Sequence, residues 1–385
     1  MGYAIDQGQG TATGDAATTR VLIVDDSIVA RTVFQRMLDE HPRFSVCGVA
    51  RGVASALALL ADMTVDIVLL DVEMPGMDGL TALPAILTAG RGAHVVIVSS
   101  SCGEGAVASM RALALGASDT VLKPAAGDLG SEFTGRLAQR LQRLPPVRHF
   151  ATPTTGDVAP GEPVVSQRRD PVGCIAVGAS TGGLIALTAL FEGLDARCTA
   201  PILVTQHLPP EFMPYFADQL SEIAGRRATV AEEGETVSPG QVLVAPGTAH
   251  LTLLRDGDAV RVRYDRRPLA SACLPSVDPM LIAVADVFAA SGIGVILSGM
   301  GRDGAHGAAQ LAAAGGEILV QDAGSATVWG MPGTVARARL ADAILPPAAI
   351  GRHIVARALA CSGARPGTQP AATGADGARG TAAWR

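Results

Sequence analysis

Between Val21 and Leu141, short apolar runs alternate five times with stretches of helical periodicity, and this rhythm restricts the fold more than any other feature. Val21–Val24, Phe44–Val49, Ile67–Leu70, Val95–Val98 and Thr120–Leu122 read as strands. Ile28–Leu38, Ala54–Leu60, Leu80–Leu87, Val107–Leu115 and Leu129–Leu141 read as helices. Five βα units in succession predict a flavodoxin-like (βα)5 domain with a parallel sheet and helices on both faces. Ligands of such sheets bind at the carboxyl ends of the strands.

The polar residues gather at those ends. The first strand closes in Asp25-Asp26, the third in Asp71, the fourth in Ser99-Ser100 and the fifth in Lys123-Pro124. Three converging carboxylates repel one another unless a hard cation lies between them. Mg²⁺ suits such a site, taking one or two carboxylates, water and a phosphate oxygen. A carboxylate can also attack phosphorus to form an aspartyl phosphate, with Lys123 and Ser99 holding oxygens of the transferred group. Lys123 is the only lysine among 30 basic residues, so it marks a position where arginine's broad fork does not substitute for a compact ammonium. The bland reading is loop acids scattered at strand ends; five polar positions on one edge weigh against it.

Val24-Asp25-Asp26-Ser27, Asp71-Val-Glu-Met-Pro75-Gly-Met-Asp78-Gly79 and Lys123-Pro124 resemble the receiver domain of bacterial response regulators, over about residues 20–142. The resemblance implies Asp71 as phosphoacceptor, Asp25 and Asp26 as Mg²⁺ ligands with Asp71 and the Glu73 carbonyl, Ser99 as switch hydroxyl and Lys123 as phosphate contact. Many receivers carry an aromatic residue two or three positions before that lysine; here Thr120 stands there.

The full length of 385 residues exceeds one ordinary core, and about two domains are expected. The first is assigned to residues 20–143, after an arm at 1–19 that is Gly/Ala/Thr-rich. Prolines at 145, 146, 153, 160, 163 and 171 make 144–170 a semi-extended linker, and the second domain is assigned to 171–360, with a polar tail at 361–385. The second domain opens on Cys174-Ile-Ala-Val-Gly178-Ala-Ser180-Thr-Gly182-Gly183, an apolar strand running through a glycine turn into a helix with Leu184, Leu187, Leu190 and Phe191. Gly-x-Ser-x-Gly at such a junction fits a nucleophile elbow. A helix-capping serine or a phosphate-cradling glycine loop would have the same spelling.

Two more strands close on reactive residues. Pro201–Gln206 ends in His207, and Ile293–Leu297 leads through Ser298-Gly-Met300-Gly to Asp303. A serine hydroxyl needs a base, and the base needs an orienting acid. His207 suits the first role, since an imidazole ordinarily titrates near 6.5, and Asp303 suits the second. The glycines flanking Met300 let backbone N–H groups approach an oxyanion. The competing readings are His250 or His306 as base, His207 as a satisfied strand-end histidine, and Asp303 as a helix cap. The order Ser, His, Asp differs from that of α/β-hydrolases. Leu251–Leu254 and Val260–Tyr264 around Asp256-Gly257 read as a β-hairpin added to this doubly wound parallel domain.

Gly178-Ala-Ser-Thr-Gly-Gly183, Gln206-His207-Leu-Pro209, Ala245-Pro-Gly247, Pro275-Ser-Val-Asp278, Gly299-Met-Gly-Arg-Asp303-Gly304 and Gly330-Met-Pro332 together resemble the CheB family of chemotaxis protein-glutamate methylesterases, over about residues 20–355. The resemblance implies Ser180 as nucleophile, His207 as base, Asp303 as orienting acid and Met300 N–H as oxyanion donor, with no cofactor in the esterase domain. It implies hydrolysis of γ-glutamyl methyl esters on methyl-accepting chemoreceptors, deamidation of receptor glutamines, a histidine kinase as phosphodonor, and an unphosphorylated receiver that partly covers the active site. Before Pro275 the family commonly carries His-Arg, whereas this chain has Cys273-Leu274. A receptor-binding adaptor without turnover, or an amidase for another substrate, are the alternatives. A net charge of −6 and scattered arginines argue against nucleic acid as partner. No run approaches a membrane span, no secretory leader is visible, and six cysteines lack a Cys-x-x-Cys pair, so a cytoplasmic protein without membrane insertion is expected.

Overall fold

The computed structural model describes residues 18–99, 103–123, 130–142, 144, 171–269, 271 and 273–361. Ser100, Pro124, Leu129 and nearly all of the expected arm, linker and tail lie outside these residues.

The first sheet comprises β1 (Thr19–Val24), β2 (Phe44–Ala50), β3 (Ile67–Asp71), β4 (His94–Ser99) and β5 (Asp119–Leu122). Its order is β2-β1-β3-β4-β5, with every pairing parallel. The helices are α1 (Ile28–Asp39), α2 (Val53–Asp62), α3 (Gly79–Ala89), α4 (Gly103–Ala114) and α5 (Ser131–Gln142). Every residue of β3 and β4 is buried, as strands covered on both faces require. Ser27 caps α1 by accepting from Ala30 N–H at 3.3 Å, and Asp78 caps α3 from Thr81 N–H at 2.7 Å. These caps fix the two loops that carry Asp25, Asp26 and Asp71.

The second sheet has seven parallel strands: β6 (Cys174–Ala179), β7 (Ile202–Gln206), β8 (Ala228–Val230), β9 (Val242–Val244), β12 (Gly292–Ile296), β13 (Glu317–Gln321) and β14 (Ala343–Leu345). Their order is β14-β13-β12-β6-β7-β9-β8, so β6 is central, β12 to β14 add outward on one side, and on the other β9 inserts between β7 and the edge strand β8. The hairpin β10 (His250–Asp256) and β11 (Ala259–Asp265) pairs antiparallel beside it. Around the sheet lie α6 (Gly183–Gly193), α7 (Met213–Ala224), α8 (Val277–Phe288), α9 (Ala305–Ala313), α10 (Met331–Arg337) and α11 (Pro347–Cys361). The α/β class and the added hairpin agree with the sequence reading.

Several boundaries differ from it. β1 starts at Thr19, inside the expected arm. α8 stops at Phe288, where Ala289 takes a positive φ of 46°. Strand β13 is the main omission. It opens on the buried Glu317, which no apolar pattern would place inside a sheet. Its carboxylate is answered by His353 Nε2 at 2.8 Å and Arg357 Nη1 at 2.6 Å, both from α11. Burial pushes the Glu317 carboxyl up, but these two partners outweigh it and hold it below the ordinary value.

Removing Glu317 strands the Arg357 guanidinium, whose Nε already has no partner, inside the protein. Glu317→Ala is therefore expected to destabilise the domain by about 3–5 kcal/mol, read by urea unfolding followed through Trp329 fluorescence. Because the carboxyl is depressed when folded, its stabilisation is fully present above 4.5 and is lost as pH falls through the lower folded value.

The two sheets meet through α4. It packs against α6, α7 and the short 3-10 turn Pro210–Phe212. Ala106 and Met110 of α4 belong to one contiguous buried cluster with Leu208, Phe212, Met213 and Phe216.

Candidate functional site

In the second domain, three loops at the carboxyl edge of the sheet converge. Ser180 leaves β6 at a turn whose Gly182 has φ 73°; a Cβ there would lie 2.3 Å from Thr327 Oγ1. The adjacent strand end approaches equally closely, since a Cβ on Gly299 would lie 2.9 Å from Ser180 Cβ and 2.4 Å from Met331 Sδ. Glycine at both positions lets two backbones pack against one serine. Ser180 N–H donates to Ser298 O at 2.9 Å, and its carbonyl accepts from Gly183 N–H and from Gln206 Nε2, both at 2.8 Å. The residue is fixed by its main chain, leaving the hydroxyl to the site.

His207 follows β7, and its Nε2 lies 2.8 Å from Asp303 Oδ2. The nitrogen left to serve Ser180 is therefore Nδ1. Among the described residues no direct hydrogen bond joins Ser180 Oγ to the ring, the loose geometry usual before substrate arrives. Asp303 is 3% exposed and accepts from Ser276 Oγ at 2.6 Å and Val277 N–H at 2.7 Å. Burial works to raise its pKa, and the bonds from His207, Ser276 and Val277 overcome this to hold the carboxyl below its ordinary value. Asp303 does not cap α9; that place belongs to Gly304, at φ 88°.

The rival histidines have other surroundings. His250 is buried, with Nε2 against Arg267 O at 3.1 Å and Nδ1 accepting from Ser276 N–H at 3.0 Å, so both ring nitrogens are engaged. His306 is exposed on α9. Met300 lies between Gly299, whose N–H is taken by Val328 O, and the left-handed Gly301. Among the described residues Met300 N–H has no backbone acceptor.

Sequence reasoning missed Ser276, Gln206 as the clamp on the Ser180 carbonyl, and His250 as the support of Ser276. Only the fold shows their partners. Ser276→Ala deletes a hydrogen bond to a buried charge, worth about 1.5–3 kcal/mol. The expected loss in kcat/KM is roughly ten- to hundredfold, measured beside Asp303→Asn as reference.

At the first sheet, Asp25, Asp26 and Asp71 each present a carboxylate oxygen within 4.8 Å of the others. Lys123 Nζ lies 2.8 Å from Asp71 Oδ2 and 2.9 Å from Asp25 Oδ2. One ammonium thus faces two buried carboxylates, with Asp26 beside them. Three converging carboxylates against one ammonium leave an excess of hard oxygen donors and negative charge, a donor set that fits Mg²⁺. Burial pushes the Asp71 carboxyl above the usual range, against the pull of Lys123. Burial equally works against the Lys123 ammonium, but its partners Asp71 and Asp25 raise its pKa overall. Glu73 N–H reaches Asp71 Oδ1 at 3.3 Å. Ser99 Oγ lies 2.7 Å from Ser109 Oγ on α4, a partner that the sequence did not single out. Thr120 is fully buried.

The first domain also touches the Ser180 turn, through the opposite edge of its sheet from the acidic cluster. Gly182 N–H, two residues past Ser180, donates to Ser118 O of the first domain at 3.2 Å, and Ser118 Oγ in turn lies 3.1 Å from His94 Nδ1.

The CheB methylesterase family model matches residues 175–354, and the response regulator receiver domain model matches 21–132. A Caulobacter vibrioides protein named protein-glutamate methylesterase/protein-glutamine glutaminase 2 is 42% identical over 347 residues, covering 88% of this chain and 99% of the relative. A Trichodesmium erythraeum protein named protein-glutamate methylesterase/protein-glutamine glutaminase is 35% identical, covering 88% of this chain and 98% of the relative. The crystal structure of the Thermotoga maritima CheB methylesterase catalytic domain is similar at 34% identity, with a TM-score of 0.47, covering 48% of this chain and 97% of that one.

Proposed function

The chain belongs to the receiver-linked protein-glutamate methylesterase/protein-glutamine glutaminase family, and on that premise we propose a serine esterase, regulated by phosphorylation, that removes methyl groups from chemoreceptor glutamates. The same site deamidates receptor glutamines. In our reading Ser180 Oγ attacks the γ-carbonyl carbon while His207 Nδ1 takes its proton. Asp303 keeps Nε2 as the protonated nitrogen and stabilises the imidazolium. Met300 N–H receives the oxyanion. The tetrahedral intermediate collapses, the imidazolium protonates the leaving methoxide, and methanol departs. Water, deprotonated by the same imidazole, then hydrolyses the acyl-serine and returns the free glutamate side chain. With a glutamine substrate the leaving group is ammonia.

The observation that carries this reading is the 2.8 Å contact of His207 with an Asp303 that is itself fixed by Ser276 and Val277. The test is methanol release from methyl-labelled receptor membranes. No release by the phosphorylated chain would leave the adaptor alternative.

For the first domain we assign Asp71 as phosphoacceptor from a histidine kinase, its carboxylate oxygen bonding to phosphorus as the P–N bond of the donor breaks. Asp25, Asp26 and Asp71, with the Glu73 carbonyl, would hold Mg²⁺, which when bound neutralises charge on the phosphoryl oxygens. Lys123 and Ser99 contact those oxygens. Drawing Ser99 Oγ toward the phosphoryl group takes it from Ser109 and so loosens α4, the helix seated on the esterase. Lys123→Arg is expected to weaken activation by phosphodonor at least severalfold despite keeping the charge, because a guanidinium replaces a point contact with a planar fork. Full activation of that variant would contradict the assignment. Among the described residues no helix is long and apolar enough to cross a membrane, and we place the protein in the cytoplasm, where kinase and receptor tails meet it.

A further inference from the structure

The residue pair that departs from the family's usual lip puts a thiol beside the catalytic base. Cys273 lies on the segment between the hairpin and α8, partly exposed. Its Sγ, a ring nitrogen of His207 and a carboxylate oxygen of Asp303 all fall within 4.8 Å of one another. These atoms come from three separate loops, and they combine a soft thiolate, an imidazole and a carboxylate. A thiolate and an imidazole together favour Zn²⁺ and its neighbours over Mg²⁺. Three protein ligands with an open fourth position are a common Zn²⁺ arrangement. Ligand atoms in a tetrahedral shell with bonds of about 2.0–2.3 Å lie roughly 3.3–3.7 Å apart, so a bound metal would turn Cys273 inward and open the 2.8 Å contact of His207 with Asp303. His207 is 16% exposed, which leaves an approach from solvent.

We propose that Cys273, His207 and Asp303 form an inhibitory site for a thiophilic divalent cation, Zn²⁺ above all. Binding releases the thiol proton, forms the metal–sulfur bond and occupies an imidazole nitrogen. The metal then separates His207 from Asp303 or takes the lone pair that accepts the serine proton; in either case the base is lost. The expected loss of turnover rests on the triad assignment above, but metal binding itself does not.

The full, unphosphorylated chain would be titrated with Co²⁺ as a visible stand-in for Zn²⁺. A thiolate-to-cobalt charge-transfer band is expected in the wild type and absent in Cys273→Ser and His207→Ala. Cys273→His keeps a ligand and should retain bound metal by equilibrium dialysis while losing the band, which separates loss of ligation from loss of folding. In the esterase assay Zn²⁺ should reduce the wild-type rate to below a tenth of its metal-free value, with recovery on adding a chelator. Cys273→Ser, compared with its own metal-free rate, should need at least ten times more Zn²⁺. A band that persists in Cys273→Ser would place the metal on another cysteine and overturn the proposal. A Cys273-dependent band with no effect of Zn²⁺ on turnover would overturn the inhibitory role. If the metal-free chain released no methanol, the esterase reading would fall while the spectroscopic result still decided the site.

Discussion

Ser180→Ala is expected to lower methanol release by about 10⁴–10⁶-fold, and His207→Ala by a similar factor, with the double variant little worse than either. The non-additivity follows from the geometry. A hydroxyl without a base is a weak nucleophile, and an imidazole without a hydroxyl has nothing to activate. What should survive is substrate binding and the oxyanion donor proposed at Met300 N–H, since neither needs these two side chains. Both variants should fold, since Ser180 is held by its own main chain and Gln206, and His207 N–H donates to Ala179 O at 3.3 Å irrespective of its ring. The pH profile adds a check with a defined sign. Asp303 is held below the ordinary carboxylate range, so it stays charged where an imidazole gains its proton. Activity should therefore fall on acidification as the base takes up a proton while Asp303 remains charged. A profile flat from pH 5 to 8 with chemistry rate-limiting, or near-normal turnover in His207→Ala, would remove His207 as base. His250 would not replace it readily, because both of its ring nitrogens are spent on Ser276 and Arg267.

These assignments were legible in the sequence for one physical reason: each residue lies at, or in the loop just beyond, the carboxyl end of a strand that is apolar enough to be recognised and is flanked by glycine or proline turns. Asp71, Ser180, His207 and Asp303 all occupy such positions. Ser276, Ser109 and His250 do not. A serine near a helix start reads the same whether it caps that helix or reaches a distant carboxylate, and Ser276 does the second, giving its hydroxyl to Asp303. The missed elements have equally local causes. Helices α7 and α11 begin at or beside prolines, Pro214 and Pro347, which serve as first-turn residues but read as breakers when the pattern is followed from outside. Strand β13 hides behind Glu317, whose charge is acceptable in a sheet only because α11, some forty residues later, returns with Arg357. Pairings across such distances have no periodicity to show them.

A fragment beginning at Asp170 is expected to release methanol about 5- to 150-fold faster than the unphosphorylated full chain, the usual span of coupling between two sites. The structural basis is the seat of the first domain. Helix α4 lies on the 3-10 turn that follows His207, and Ser118 accepts from the N–H of Gly182 in the Ser180 turn. Both loops that carry reacting groups are thus touched from the same side, which narrows the approach of a receptor helix. A tether of about 25 residues keeps the cover at high local concentration, so a weak interface suffices to hold it. The second domain has its own seven-stranded sheet and a buried cluster built from its own residues, which allows the fragment to fold. Phosphodonor and Mg²⁺ should raise the full chain toward the fragment's rate and leave the fragment unchanged. Asp71→Asn should abolish stable phosphorylation and hold the full chain at its low rate, because the amide does not attack phosphorus as the carboxylate does. Ser109→Ala, which breaks the link from Ser99 to α4 without touching Asp71, should raise the unphosphorylated rate and narrow the response. A fragment no faster than the unphosphorylated chain would eliminate the covering role, and the first domain would then act only by recruiting or activating the second.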